Sequence, residues 1–342
     1  MNQDPVEQYP DYYASSAYRS TRIPIMPPSS DSEHGPNFIA KHMTYGRFPW
    51  SRGSDQFCPV GGVKDQFDDL RFENVQEGPD FWTHERIVVM TTNRLANIVG
   101  VIHYISLMCQ LGFFVSLIVL VLAFFREGIH GLVLGGKFSA FFLISYLVLN
   151  KGVKFFVEKK IHLFTKEDSG FYRRTGMVWV RQKGELFEAP FSEFDAWWDI
   201  VHIGNGGTYS ILKLVHRYKE VAFTMNSGFL TGVNKNELYS IWLILQRYMD
   251  VSQPLPDLPI FEPYRELDPV TAEFDRDSGR DPRRWRNTTY EQWQETEEKA
   301  MEQRLWDLNY NIPDLMEPYV MDRGPRSPRS QPDPATLAVR EF

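Results

Sequence analysis

The chain has 342 residues, 43% of them hydrophobic and 24% charged, with a formal net charge of −7. Its mean hydropathy of −0.36 is that of a soluble protein, but one stretch, Asn97 to Leu149, is almost wholly apolar and has the charge on either side of it. No tail is basic enough to imply nucleic acid, and two cysteines, Cys58 and Cys109, exclude a disulfide framework and a cysteine-based zinc site.

Residues 1–85 read as a polar, Pro/Tyr-rich N-terminal region. Pro5, Pro10, Pro24, Pro27, Pro28, Pro36 and Pro49 punctuate it, and Tyr9, Tyr12, Tyr13, Tyr18, Phe38 and Phe48 are too many aromatics for a linker. The region is expected to pack on the downstream domain or on a partner. Residues 1–30 carry no apolar core of signal-peptide length, so the first apolar helix is expected to act as the insertion signal.

Residues 86–154 read as an antiparallel transmembrane helical hairpin. A bilayer core of roughly 30 Å needs about 20 apolar residues at 1.5 Å each. Spans are expected at roughly Asn97–Phe125 and Ile129–Leu149, joined by Arg126-Glu127-Gly128. So short a connection puts both flanks in one compartment. The flanks offer Arg86 and Arg94, then Lys151, Lys154, Lys159, Lys160 and Lys166, against Arg126 in the loop, so the flanks are expected to be cytoplasmic. The basic cluster Lys151, Lys154, Lys159 and Lys160 is a topology signal that would also attract anionic lipid at about 1 kcal/mol per residue. Lys137, inside the second span, either snorkels outward or faces water or a partner. Gly131 and Gly135, four apart, permit close helix approach, within the hairpin or between copies of the chain as a homo-oligomer.

Residues 155–252 read as a cytoplasmic PH-like β-rich domain. MVWVRQ from Met177, ELFEAPF from Glu185, AWWDIVHI from Ala196, YSILKLVH from Tyr209 and VAFTM from Val221 have strand composition. Gly204-Asn205-Gly206-Gly207 is a turn signal, because a strand follows it rather than the helix a phosphate cradle needs. Asn234 with Glu237 marks a helix start, and Leu238, Ile241, Trp242, Leu245 and Tyr248 give it an apolar stripe. Strands followed by one amphipathic helix is the element order of a PH-like barrel closed by its C-terminal helix. The fold class is thus an α+β membrane protein. Residues 253–342 read as a Pro-rich extension with one helix, Tyr290 to about Leu308, capped by Thr288 with Glu291.

Chemistry is sparse. Eight histidines are scattered without metal-ligand spacing, and no nucleophile elbow, Walker loop or kinase motif occurs. Asp199 and His202 point to opposite faces of one strand, which argues against acid–base work with Asp195 nearby. The expectation is a protein that is not an enzyme, with no catalytic or metal residues and no cofactor. Trp179, Trp197 and Trp198 are the candidate partner-binding residues.

From Phe171 to Tyr248, the run FYRRTGMVWVRQKGELFEAPFSEFDAWW, the GNGG turn, YSILKLVHRY and NKNELYSIWLILQRYM resemble a family of proteobacterial membrane proteins of unknown function. Its members share a paired membrane helix before a β-rich unit and are often encoded beside type VI secretion effectors. The resemblance spans roughly residues 80–300. It implies an inner-membrane immunity protein sequestering a cognate effector toxin, with a membrane adaptor or scaffold and an anionic-lipid-sensing module as alternatives.

Overall fold

The computed structural model describes residues 4–26, 46–54, 67, 82–92, 94–160, 165–182, 184–202, 208–225, 234–310 and 312–319. The chain divides into two compact units, one of Met1–Val89 with Asp168–Phe342 and one of Met90–Glu167. The expectations about Cys58, the turn at residues 204–207 and the prolines beyond Tyr319 lie outside the described residues.

Strand β1 (Arg86–Thr92) runs into helix α1 (Arg94–Glu127), and α2 (Ile129–Lys160) runs back into β2 (Thr165–Tyr172). β3 (Met177–Gln182) and β4 (Glu185–Pro190) complete a four-stranded antiparallel sheet in the order β1-β2-β3-β4. β5 (Phe194–His202), β6 (Thr208–His216) and β7 (Ala222–Thr224) form a second, three-stranded sheet. The helical unit is therefore an insertion between two hydrogen-bonded neighbours. The five strand runs read from the sequence match β3 to β7. β1 and β2 escaped that reading, because RIVVMTT borders the apolar stretch and TKEDSGFY has no apolar alternation. Among the described residues the fold is α+β with two antiparallel sheets, and no pairing joins them into a closed barrel.

Helix α3 (Lys235–Met249) follows the second sheet. Asn234 accepts a hydrogen bond from the Glu237 amide, and the Asn234 side-chain amide donates to Glu237 Oε1 at 2.8 Å. Its apolar stripe packs on β5 and β6, yet burial extends around nearly the whole helix, with Tyr239, Leu243 and Gln246 buried as well. The N-terminal region covers the second side. Gly46 and Phe48 bond to the free edge of β5: Trp198 N donates to Gly46 O and Phe48 N to Ala196 O, both at 2.9 Å. Trp50, fully buried, sits edge-on to Trp242 at 4.8 Å and Phe191 at 5.0 Å. Trp242 Nε1 donates to Pro49 O at 3.0 Å. Gly53 has φ +73°, and a Cβ there would lie 2.3 Å from the Arg247 amide nitrogen, so only glycine lets the strap follow the helix this closely. The described parts of the region expected to dock do so, on their own chain.

The extension is more helical than the sequence indicated. A 3-10 stretch (Pro259–Leu267), α4 (Pro269–Ser278) and a short turn (Arg284–Asn287) precede α5 (Tyr290–Trp293), a π-helical turn (Gln294–Glu298) and α6 (Lys299–Trp306). The cap of α5 is Thr289, with Gln292 completing the capping box, rather than Thr288 with Glu291. Thr288 instead donates its hydroxyl to Arg284 O at 2.8 Å and closes the preceding turn.

In the other unit α1 and α2 form an antiparallel pair. They are joined by the single residue Gly128, at φ +62°, rather than by a three-residue loop. Both helices overrun the expected spans, α1 beginning at Arg94 and α2 continuing to Lys160. At 1.5 Å per residue each is on the order of 50 Å long, well beyond a hydrocarbon core of roughly 30 Å. The seam residues of α1 are Ile102, Ser106, Cys109, Phe113, Ser116, Leu120 and Ala123, spaced alternately four and three apart, which is the left-handed coiled-coil period.

Candidate functional sites

The sequence points to four settings: the apolar hairpin, the tryptophans, the acidic residues of β5 and the basic cluster after α2. In the hairpin, Val101–Glu127 of α1 is, among the described residues, the one helical segment long and apolar enough to cross a bilayer, and only 6% of its most apolar window is buried. Its apolar side chains point outward: Tyr104, Met108, Leu111, Val115, Ile118, Leu122 and Phe125 are exposed. Small and polar groups lie inside, among the larger Ile102, Phe113 and Leu120. Ser116 donates to Phe113 O at 2.7 Å and lies 2.9 Å from the Ser139 hydroxyl. A Cβ on Gly135 would come within 2.7 Å of Leu120, so this glycine serves close packing inside one hairpin. The environment of Gly131 is outside the description, as are the side chains of Lys154, Lys159 and Lys160; Lys151 is exposed.

Of the candidate partner-binding residues, Trp179 and Trp198 are buried and Trp197 is half-buried. Trp179 sits in β3 against Gly170, and one face of Trp198 is taken by Lys235, whose ammonium lies 5.0 Å from that ring and 4.2 Å from Tyr310. Burial pushes the Lys235 amine below its ordinary pKa, while the two ring faces favour its charged form. Trp197 forms a bridge with Arg47 of the strap. Trp198 belongs to the core, with Gly46 of the strap bonded to its backbone and Tyr310 of the extension beside Lys235. Both of those lie far away in sequence, which is why strand composition alone left the rings outward.

Asp195 is buried. It accepts from Arg217 Nη2 at 2.9 Å, Arg217 Nε at 3.2 Å and Trp50 Nε1 at 3.1 Å. With its oxygens so occupied it holds the strap to β5. Asp199 pairs with Lys213 at 2.6 Å. The His202 side chain is outside the description.

A second buried ion pair went unseen in the sequence. Arg173, in the β2–β3 turn, and Asp268, the N-cap of α4, are both fully buried, with Arg173 Nε 3.1 Å from Asp268 Oδ1. Tyr13 donates to Asp268 Oδ1 at 2.7 Å, and Thr271 donates through its amide and hydroxyl. Arg173 also donates to the carbonyls of Tyr248, Asp250 and Gln253. Burial raises the Asp268 pKa, but Arg173 and the hydroxyl donors outweigh it and hold the carboxyl below its ordinary value. One pair thus ties the N-terminal region, the first sheet, the end of α3 and the extension together. The arginine and the aspartate stand 95 residues apart, so no local pattern could have revealed them.

The extension carries a cleft of ≈ 490 Å³ beside the π-helical turn. Its lining joins buried Leu258, Trp285, Trp293 and Met301 to Arg284 and Glu297, which pair at 3.0 Å. Asp257 accepts from Arg280, Arg284 and Trp285 Nε1, and Arg280, nearby Arg265 and the Trp285 bond hold its pKa down against burial. On the same aromatic pair Phe67 packs at 5.7 Å from Trp285 and 6.0 Å from Trp293. π-Turns recur at functional positions, and an apolar floor with charges at the rim is the anatomy of a binding site. The alternation of Trp285, Trp293 and Met301 with Arg284 and Glu297 was the available signal, obscured because the three apolar residues sit on three different helical segments. Among the described residues no three His, Cys, Asp or Glu side chains gather to hold a metal.

Searches against protein-family models, curated proteins and solved structures return no match to this chain.

Proposed function

We propose that this chain is a membrane-anchored protein-binding protein. In this reading α1 and α2 both cross a bacterial inner membrane, with both termini cytoplasmic, and the α+β unit is a PH-like module that engages a protein partner. The observation that carries it is the helical pair with an apolar exterior, the inverse of a soluble hairpin, and a seam in which Ser116 and Ser139 meet among apolar side chains. Four strands, then three, then a long helix is the element series of a PH-like fold. The unit's strongest polar groups are spent on internal ion pairs, and its apolar-floored cleft at Trp285 and Trp293 suits a partner's side chain better than it suits chemistry. The most specific form of the proposal, resting on the family resemblance, is immunity: the module sequesters a toxin encoded by a neighbouring reading frame.

Membrane fractionation with carbonate washing tests the anchor, and alkaline phosphatase and fluorescent protein fused in turn to the C-terminus test the orientation. Release by carbonate, or active phosphatase with a dark fluorescent fusion, would overturn the corresponding part. Co-expression with the neighbouring product tests the partner. Rescue of growth with salt-tolerant nanomolar binding supports immunity, binding without rescue turns the reading to an adaptor, and salt-sensitive binding to anionic liposomes alone turns it to lipid sensing.

A further inference from the structure

The outward stripe of α2 is Val133, Lys137, Phe141, Ile144, Val148 and Lys151, each three or four residues from the next, and every member is exposed. Two lysines bracket an apolar run on one face. Lys137 is not in the seam with Ser116, and among the described residues no carboxylate pairs with it. The two lysines stand about 21 Å apart along the axis at 1.5 Å per residue. If their long stems reach in opposite directions, about 5 Å each, the ammonium groups are separated by roughly 30 Å, the thickness of a hydrocarbon core.

The neighbouring helix carries a second, independent mark. Ser116 meets Ser139, and Leu120 and Phe142 face Gly135 and Gly112, so the antiparallel pairing sets Tyr104 level with Lys151 and Ile118 level with Lys137. Tyr104 is 65% exposed, where an interfacial aromatic belongs. His103, exposed beside it, then lies at the edge of the hydrocarbon rather than within it.

We propose that Lys137 and Lys151 bind headgroup phosphates of opposite leaflets and so fix the depth of the hairpin. The hydrocarbon covers α2 between them, centred on Ile144. The turn, with exposed Phe125, Arg126, Ile129 and His130, stands in the headgroup layer of the leaflet that Lys137 reaches. This register lies about five residues, or roughly 7 Å, from one centred on the apolar stretch Ile129–Leu149. The proposal rests on the membrane reading above.

Nitroxide labels on single cysteines test it in the full-length chain, with Cys58 and Cys109 replaced by serine, in phosphatidylcholine–phosphatidylglycerol vesicles. Val133→Cys, Ala140→Cys, Ile144→Cys and Val148→Cys are compared by the ratio of oxygen to nickel-chelate collisions. The expected result is a maximum at Ile144 with an interfacial value at Val133. Lys137→Leu moves the maximum toward the turn by about three residues, and Lys137→Arg leaves it in place. A maximum at Ala140, or no shift in Lys137→Leu, overturns the proposal. If no position shows oxygen enrichment, the membrane reading itself fails, and the two failures are distinct.

Discussion

Removing one partner of the Arg173–Asp268 pair strands a buried charge. Arg173→Met leaves Asp268 with Tyr13 and Thr271 as donors but no cation, and Asp268→Asn leaves a guanidinium facing carbonyls alone. Breaking a buried pair this way costs about 3–5 kcal/mol, a large share of the roughly 5–15 kcal/mol available to a folded unit. In a unit of this size about 1 kcal/mol moves Tm by 2–4 °C, so each single variant should melt roughly 6–20 °C lower. The double variant, with both charges gone, should lose clearly less than the sum, by at least about 2 kcal/mol. All nine tryptophans lie outside Met90–Glu167, so tryptophan fluorescence in detergent follows the α+β unit alone. The pH dependence has a definite sign. Because the folded state holds the Asp268 carboxyl below its ordinary value, the stabilisation is present above about pH 4 and is lost as pH falls through the lowered folded value. The gap between wild type and Asp268→Asn should therefore close in acid. Strict additivity of the two single variants, or a gap that is constant from neutral pH to pH 2, would refute the reasoning.

Trp242→Ala should cost about 3–5 kcal/mol, because the ring is fully buried between Trp50 and Phe191, whereas Glu237→Ala at the helix cap should cost about 1 kcal/mol or less. Urea unfolding followed by fluorescence separates them, and equal midpoints would show that α3 is not the centre of the core. Gly53→Ala forces a Cβ against the Arg247 backbone at positive φ and should cost more than about 1 kcal/mol. Its readout is faster proteolysis within residues 46–54, and an unchanged cleavage rate would show the strap to be held elsewhere.

Local pattern made most of the second half of the chain legible. The five strand runs and the Asn234–Glu237 cap need only neighbours in sequence, and each is where periodicity and capping chemistry put it. β2 was hidden because TKEDSGFY takes its strand form from pairing with β3 rather than from its own composition. Distant partners decide the remaining features. Nothing beside Asp195 in the sequence announces Arg217 and Trp50, and the α3 stripe reads as one face until the strap and the extension cover the others. The cleft beside the π-turn was unreadable for the same reason, since its floor combines Leu258 with residues of three later segments.

The insertion of α1 and α2 between β1 and β2 imposes an order of events during synthesis. β1 emerges early, but its hydrogen-bonding neighbour follows only after the intervening helices. At 5–20 residues per second, those roughly 70 residues keep β1 waiting for several seconds as an unpaired edge. The four-stranded sheet can begin to close only after both helices have left the ribosome, and the strap laid across α3 has to wait longer still. Synthesis of the apolar pair therefore precedes completion of the polar unit, whose first sheet has its edge strand on one side of the insertion and its other three strands on the far side.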